Sequence, residues 1–509
     1  MPVTPPIDEL QDALLIRTCG SDFTSLFYRN LLARVCTLYF VCLEGILTGI
    51  WSISLSDVQN QHALSDSLLG VASMVASTGT VATLPVTGYC LKTYGSQATV
   101  LVGGVLYSLF LLLIAVSDSY ATLLIFMFIY GLMWGTTDIS ANTSSIITEV
   151  VAEKSLLGSY HGSYSLSAAA GSFVGAVMKA RGIGLFDLFL IISVTCSTLC
   201  VVFISGLYTH TQEEAIHRYN DKMDNNNNSL DRNKMDNSLY TPIHPSKEEG
   251  HDRCCSSADD YDLIASPLLP LDDTTNNNSS NNNNHELTSD ANYEEPLSMG
   301  GKDPEHMVVY LSLLSFLAAF GEGSVVTWSA IYYDKVLHAS ALLRTLGFSC
   351  FMVAMASGRF SCDFLRARYG RKAMVFTGSL LMLSGLVMVV AAPDMTYSLE
   401  FATIGFTVTG LGLSTLMPIA FSSAGHLKDG IDGSTALTII AGFSYAGSIV
   451  NAPVIGLVSD LSGSLRYGIV CDLLVLSCLL PLSMVLPAET SRFLLLRSIR
   501  SSSSHKTYT

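Results

Sequence analysis

Long, largely apolar runs recur along the chain, each about the 20 residues that a helix needs to cross the hydrocarbon of a bilayer. Six of them precede a polar block, near residues 32–56, 67–88, 96–116, 120–144, 161–181 and 185–208. Six more follow it, near 307–333, 340–361, 372–392, 398–421, 434–458 and 465–487. The pattern predicts an all-α membrane protein of twelve transmembrane helices in two pseudo-symmetric six-helix halves. It divides the chain into an N-terminal tail over 1–31, a six-helix bundle over 32–208 and an Asn/Asp/Ser-rich loop over 209–306. A second bundle over 307–487 and a C-terminal tail over 488–509 complete it.

Composition sharpens this picture. Only 14% of the 509 residues are charged, against about 25% in soluble chains, and the mean hydropathy is +0.43. The net charge of -15 comes largely from solvated loops, such as Asp259, Asp260, Asp262, Asp272 and Asp273, and does not call for a cationic partner. Asparagine runs at 225–228, 276–278 and 281–284 cannot bury a core, so the polar block is expected to be disordered. Basic residues of the short loops gather on the side of both termini (Arg29, Arg34, Lys92, Lys154, Arg366, Arg368, Arg371 and Lys372 among them), which predicts cytoplasmic termini and a cytoplasmic block. On that topology the Asn-x-Ser sequons of the block stay unglycosylated. Residues 259–264 fit an acidic dileucine pattern, which makes Leu263-Ile264 a candidate contact for a sorting adaptor and leaves plasma membrane and endosomal or vacuolar membrane both open. Residues 1–30 hold Asp8, Glu9, Asp12, Arg17 and Asp22 and lack the apolar core of a cleavable signal. The twelve cysteines show no C-x-x-C spacing and mostly sit in apolar runs, so neither a metal site nor a disulfide framework is expected.

The two halves repeat each other. Gly88–Gly95 aligns with Asp363–Gly370 at an offset of 275 residues, and Gly171–Ala176 with Gly447–Ala452 at 276. Glu44 and Trp51 are echoed by Glu322 and Trp328 at 278 and 277. Such a repeat around a central cavity is the plan in which one half rocks against the other.

Gly358-Arg359-x-x-x-Asp363, followed by Arg368-Tyr369-Gly370-Arg371-Lys372, looks like the signature between helices eight and nine of the major facilitator superfamily. Asp138-x-x-x-Asn142, Glu149 and His161-Gly162-x-x-Ser165 look like a motif of its fucose-permease-like branch, as do Gly410–Ser414 and Pro418. The chain therefore resembles that superfamily, and specifically that branch with its uncharacterised bacterial permeases, over both helical halves. In the first half Gly88 replaces the signature Asp, and Ser96-Gln97 replaces the basic pair. The resemblance implies a major facilitator fold and proton-coupled uptake of a sugar or similar small solute, with helices one, four, seven and ten lining the cavity.

Ionisable groups inside spans are costly and tend to be functional. Glu44, Asp138 and Glu322 fall on helices one, four and seven, where a buried carboxylate could carry a coupling proton or hold a structural hydrogen bond. Gly131, Trp134, Asp138, Asn142, Ser145 and Glu149 follow helical spacing on one face of helix four, a stripe suited to a polar solute. Trp51 and Trp328 fit either the cavity or the interfacial aromatic belt. His161 is expected at the cytoplasmic mouth of helix five as a proton relay, an inner gate or a structural hydrogen-bond partner. Arg359 and Asp363 are expected to hold a cytoplasmic gate by ion pairing.

No Walker loop, H-E-x-x-H or metal-spaced His/Cys cluster is present, so an enzyme, a cofactor and nucleic-acid binding are not indicated. Three readings stay open: proton symport of a sugar or other small polar solute, proton-exchange efflux of organic compounds, and a non-transporting membrane receptor or scaffold.

Overall fold

The computed structural model describes residues 23–152, 154, 156–220, 304–424 and 433–486. The dileucine pattern, the sequons and most of both expected tails lie outside them. The described residues form helices with no strand. In the first half these are α1 (Phe23–Gln61), α2 (Asp66–Ala82), α3 (Leu84–Ala115), α4 (Tyr120–Ala152), α5 (Leu157–Ala180), α6 (Leu185–Phe203) and α7 (210–220). The second half holds α8 (Pro304–Lys335), α9 (Leu346–Tyr369), α10 (Arg371–Ala391), α11 (Ser398–Leu413), α12 (Leu416–Ala424), α13 (Gly433–Ser462), α14 (Leu465–Leu476) and α15 (Leu479–Val485).

Nine helical segments among the described residues are long and apolar enough to cross a membrane. One of them, Asp66–Ala115, runs for 50 residues and turns at Gly95, so it supplies two crossings. α5 and α9, of 24 residues each, fall short on hydropathy because they carry the serines, His161 and Arg359 that face inward. Both helices correspond to the runs read from the sequence near 161–181 and 340–361.

Proline explains three breaks within crossings. Its ring clashes with the carbonyl four residues earlier and it lacks an N–H. α11 gives way to α12 at Ser414, four residues before Pro418, and α14 to α15 at Ser477, four before Pro481. Thr83 separates α2 from α3 just ahead of Pro85.

The internal repeat is visible in the backbone. Gly95 and Gly370 have φ of 80° and 79° at equivalent turns, a conformation that side chains disfavour. Gly171 and Gly447 each sit where a β-carbon would collide with a carbonyl oxygen, that of Ile46 on α1 and Phe316 on α8. Small residues thus let helix backbones touch, the usual packing device where no water drives association. Lipid-facing positions remain apolar, as at Val102, Ile125, Val201, Leu380 and Leu474, each more than half exposed in the isolated chain.

Two boundaries differ from expectation. α1 begins at Phe23, inside the expected tail. Residues 210–220 are helical rather than part of a disordered loop, because Glu213 is buried and accepts hydrogen bonds from the Ser96 N–H at 2.9 Å and from the Ser96 hydroxyl. The carboxylate satisfies the first N–H after the Gly95 turn, the place where the first half lacks its signature Asp and basic pair. Arg29 ties the same region down, donating to the carbonyls of Gly206 and Leu207 at 2.6 and 2.7 Å.

Candidate functional site

A cavity of about 270 Å³ opens between the halves. Trp51 and Thr48 of α1, Tyr130, Trp134 and Asp138 of α4, and Tyr164 of α5 line it from the first half. Glu322 and Val326 of α8, Met417 of α12, and Ser448 and Asn451 of α13 line it from the second. The aromatic rings in the wall, Trp51, Tyr107, Tyr130, Trp134 and Tyr164, all come from the first half. Trp51 lies 5.8 Å from Tyr130, and Tyr107 lies 4.9 Å from Tyr130, centroid to centroid. Tyr130 donates to the Tyr107 hydroxyl at 3.2 Å, and Tyr164 to Thr48 at 3.4 Å, which fixes the rings.

Of the residues expected from sequence, Trp51, Trp134, Asp138 and Glu322 reach the cavity. Asp138 accepts from the Asn142 amide at 2.9 Å, one helical turn along the same face. Glu44 stands behind the wall, 4% exposed, within electrostatic range of Asp138, and its Oε1 has no hydrogen-bond partner. Tyr445 of α13 lies within electrostatic range of both carboxylates from the other half. Among the described residues neither first-half acid is in an ion pair.

The second half presents the opposite arrangement. Arg359 of α9 reaches Glu322 with one nitrogen, 3.1 Å from Oε1 and 2.9 Å from Oε2, and its other terminal nitrogen donates to Ser165 of α5 at 2.6 Å. Arg359 thus joins a cavity acid of its own half to a helix of the other. His161, one turn before Ser165, lies in the field of Arg359.

Several expectations are corrected. Arg359 pairs with Glu322 and not with Asp363. Asp363 lies on the exposed end of α9, 3.4 Å from Arg366, and faces the first turn of α5 near Gly158. Trp328 belongs neither to the cavity nor to an interfacial belt: it is fully buried in the core, because its face of α8 turns away from Glu322. Glu149 leaves the polar stripe of α4 to cap α5, accepting from the N–H groups of Leu156 and Leu157 at 2.8 and 2.7 Å.

Sequence reasoning missed Tyr107, Tyr130, Tyr164, Asn451 and Asp472. Tyr130 was within reach, since 130, 134 and 138 extend the α4 stripe by one turn. Asp472 is a buried acid in α14, 1% exposed, that accepts from Ser324 of α8 at 2.7 Å. The rule that singles out Glu44 applies to it as well. Among the described residues no group of His, Cys, Asp and Glu is arranged to hold a metal ion.

Two helical halves around a polar, acid-bearing cavity, with lipid-facing apolar surfaces, define a membrane transporter. Residues 23–231 match the Major Facilitator Superfamily and residues 260–508 match the Sugar (and other) transporter family. The chain belongs to the major facilitator superfamily. It is 22% identical to an uncharacterized MFS-type transporter of Yersinia pestis, over 87% of this chain and 93% of that protein. It is 21% identical to the membrane protein MosC of Rhizobium meliloti, over 83% and 82%. Among solved structures, the nucleoside transporter NupG matches 90% of this chain and 98% of its own, with a TM-score of 0.55 at 13% identity, a likeness of fold.

Proposed function

We propose that the protein is a proton-coupled symporter of a sugar-sized, uncharged polar solute, of the fucose-permease-like kind, working by alternating access. The observation that carries this reading is the uncompensated acid pair. Asp138 lines the cavity and Glu44 stands behind it within electrostatic range, neither in an ion pair among the described residues, whereas the third acid, Glu322, has Arg359. Two ionised carboxylates without counter-ions are costly at membrane depth, so a proton taken up by the pair during the cycle relieves that cost, and the buried Glu44 Oε1 without a hydrogen-bond partner favours one. The neutral walls then take the solute. Trp51, Trp134 and Tyr130 offer apolar ring faces to a sugar's C–H groups, and Asp138, Thr48 and Asn451 offer hydrogen-bond partners to its hydroxyls. A volume of about 270 Å³ lies at the small end of ligand sites, which span roughly 300–1,000 Å³.

The test is proton flux in proteoliposomes with hexoses, deoxyhexoses, nucleosides, amino acids and organic acids, against Asp138→Asn. A solute that alkalinises the outer medium with wild type but not with the variant supports symport and names its class. Acidification on adding an amphipathic organic compound would instead establish exchange efflux, a reading that the aromatic wall also supports.

A further inference from the structure

The cavity is roofed at the end where α1 hands over to α2, the end that the charge rule places away from the cytoplasm. Asp66, the first residue of α2 and 7% exposed, gathers donors from three other helices or ends. Gln59 of α1 donates to Oδ1 at 2.7 Å and Lys335 at the end of α8 at 2.6 Å, while Ser459 of α13 donates to Oδ2 at 2.6 Å. The clasp is reciprocal. Asp460 of α13 accepts the N–H groups of Asp66 and Ser67, at 3.0 and 2.8 Å, and so caps the first turn of α2. Below it α2 and α13 touch backbone to backbone: a β-carbon at Gly456 would collide with the Asp66 carbonyl, and one at Gly70 would lie 2.5 Å from the Ala452 carbonyl oxygen. Ala452 itself lines the cavity, as do Ser73 and Ala76 one to two turns further along α2.

The equivalent face formed by α5 and α9 has a different chemistry. Asp57 and Asp334 occupy equivalent positions 277 residues apart, but each pairs within its own half, with Lys179 at 2.5 Å and Arg344 at 2.7 Å. The halves meet there through the neutral hydroxyls of Ser172 and Thr345, 2.5 Å apart. Lys179 lies in the field of Asp334 and Arg344 across the interface without an ion pair to either, whereas the charged hydrogen bonds between α2 and the second half gather on Asp66 and Asp460.

We propose that Asp66 is the latch of this end: its bonds to Lys335 and Ser459 hold the cavity shut here and must break for the cavity to open on this side. The inference rests on the alternating-access reading above, but its test needs neither a substrate nor a proton. Asp66 is a positioning residue that touches no solute and sets the balance between the two open states. Breaking one partner of a buried, hydrogen-bonded charge pair between two bodies weakens their association, and two halves that rock about one cavity respond at both ends.

Amide hydrogen exchange on the full chain in nanodiscs reads both ends at once. Asp66→Asn should raise exchange over residues 62–70 and 456–464 by roughly tenfold. It should slow exchange at the opposite end, over 157–163 and 359–366, as that end closes. Lys335→Gln, at a side chain 40% exposed and on a different helix, should give the same two-ended pattern, and it carries the test if Asp66→Asn does not fold. Changes confined to the mutated segment, or faster exchange at both ends, overturn the latch. Loss of transport with an unchanged exchange pattern overturns it too and leaves the symport reading untouched, whereas the two-ended pattern in a protein that moves no solute separates the latch from symport.

Discussion

Arg359 holds Glu322 of its own half through one guanidinium nitrogen and Ser165 of the other half through another, at 2.9 and 2.6 Å. One side chain therefore binds a cavity acid and an inter-half contact together. Any motion that parts α5 from α9 must release Ser165, and any cation that replaces Arg359 on Glu322 must compete with a charge-assisted pair. The acids of the first half differ: Asp138 accepts from the neutral Asn142 amide, and Glu44 Oε1 has no hydrogen-bond partner.

Replacing Arg359 separates these duties. A lysine keeps the charge but has a single nitrogen head and no planar fork, so it cannot serve Glu322 and Ser165 at their present separation. Arg359→Lys should lower solute uptake on the order of tenfold, and Arg359→Gln should lower it further. Ser165→Ala, which removes only the inter-half arm, should cost less than either. Uptake in proteoliposomes together with thermal melting of each variant checks the ranking; equal uptake in wild type and Arg359→Gln would remove this pair from the transport cycle.

Asp472 tests whether every buried acid is functional. It lies between α14 and α8, away from the cavity wall, and its partner Ser324 also bonds the Gly321 carbonyl at 2.9 Å. An asparagine can accept the same hydroxyl bond with its amide oxygen. Asp472→Asn should therefore retain uptake within about twofold at all pH values. Loss of proton-driven accumulation in this variant would make Asp472 a second coupling acid.

Glu213 anchors α7 beneath the first half, and its removal leaves the Ser96 N–H buried without a partner. Glu213→Ala should destabilise the protein by about 1–3 kcal/mol, the usual cost of an unsatisfied buried group. Glu213→Gln, which keeps an acceptor, should cost less. Thermal melting in detergent distinguishes them, with His217→Ala on the same helix as the control.

What could be read in the sequence follows from physical range. The crossings were legible because a bilayer demands long apolar runs, and the repeat was legible because both copies keep Gly95 and Gly370 at a turn that needs positive φ. Asp138 and Trp134 emerged from helical spacing on one segment. Partners across helices did not: nothing local assigns Arg359 to Glu322 rather than to Asp363, four residues away on its own helix. Trp328 was misplaced because a half-turn of α8 decides between cavity and core, and sequence position along a span does not fix rotation. Asp66 falls at the edge of a run, where an acid reads as loop; its burial comes from Lys335 and Ser459, 269 and 393 residues away in the chain.

The acid pair itself makes the sharpest prediction. If Asp138 carries the proton, Asp138→Asn holds the site permanently in its neutral form. Net accumulation driven by a proton gradient requires release of the proton on the far side, so it should fall to background. Exchange of labelled for unlabelled solute across the membrane requires only that the loaded protein rocks back and forth, so it should persist, within roughly threefold of wild type. Glu44→Gln discriminates the two acids. With Glu44 behind the wall and within range of Asp138, a glutamine there leaves Asp138 and its Asn142 partner in place, so proton-driven accumulation should survive. Should Glu44→Gln show the exchange-only behaviour and Asp138→Asn accumulate normally, the coupling acid is Glu44 and Asp138 serves the solute alone.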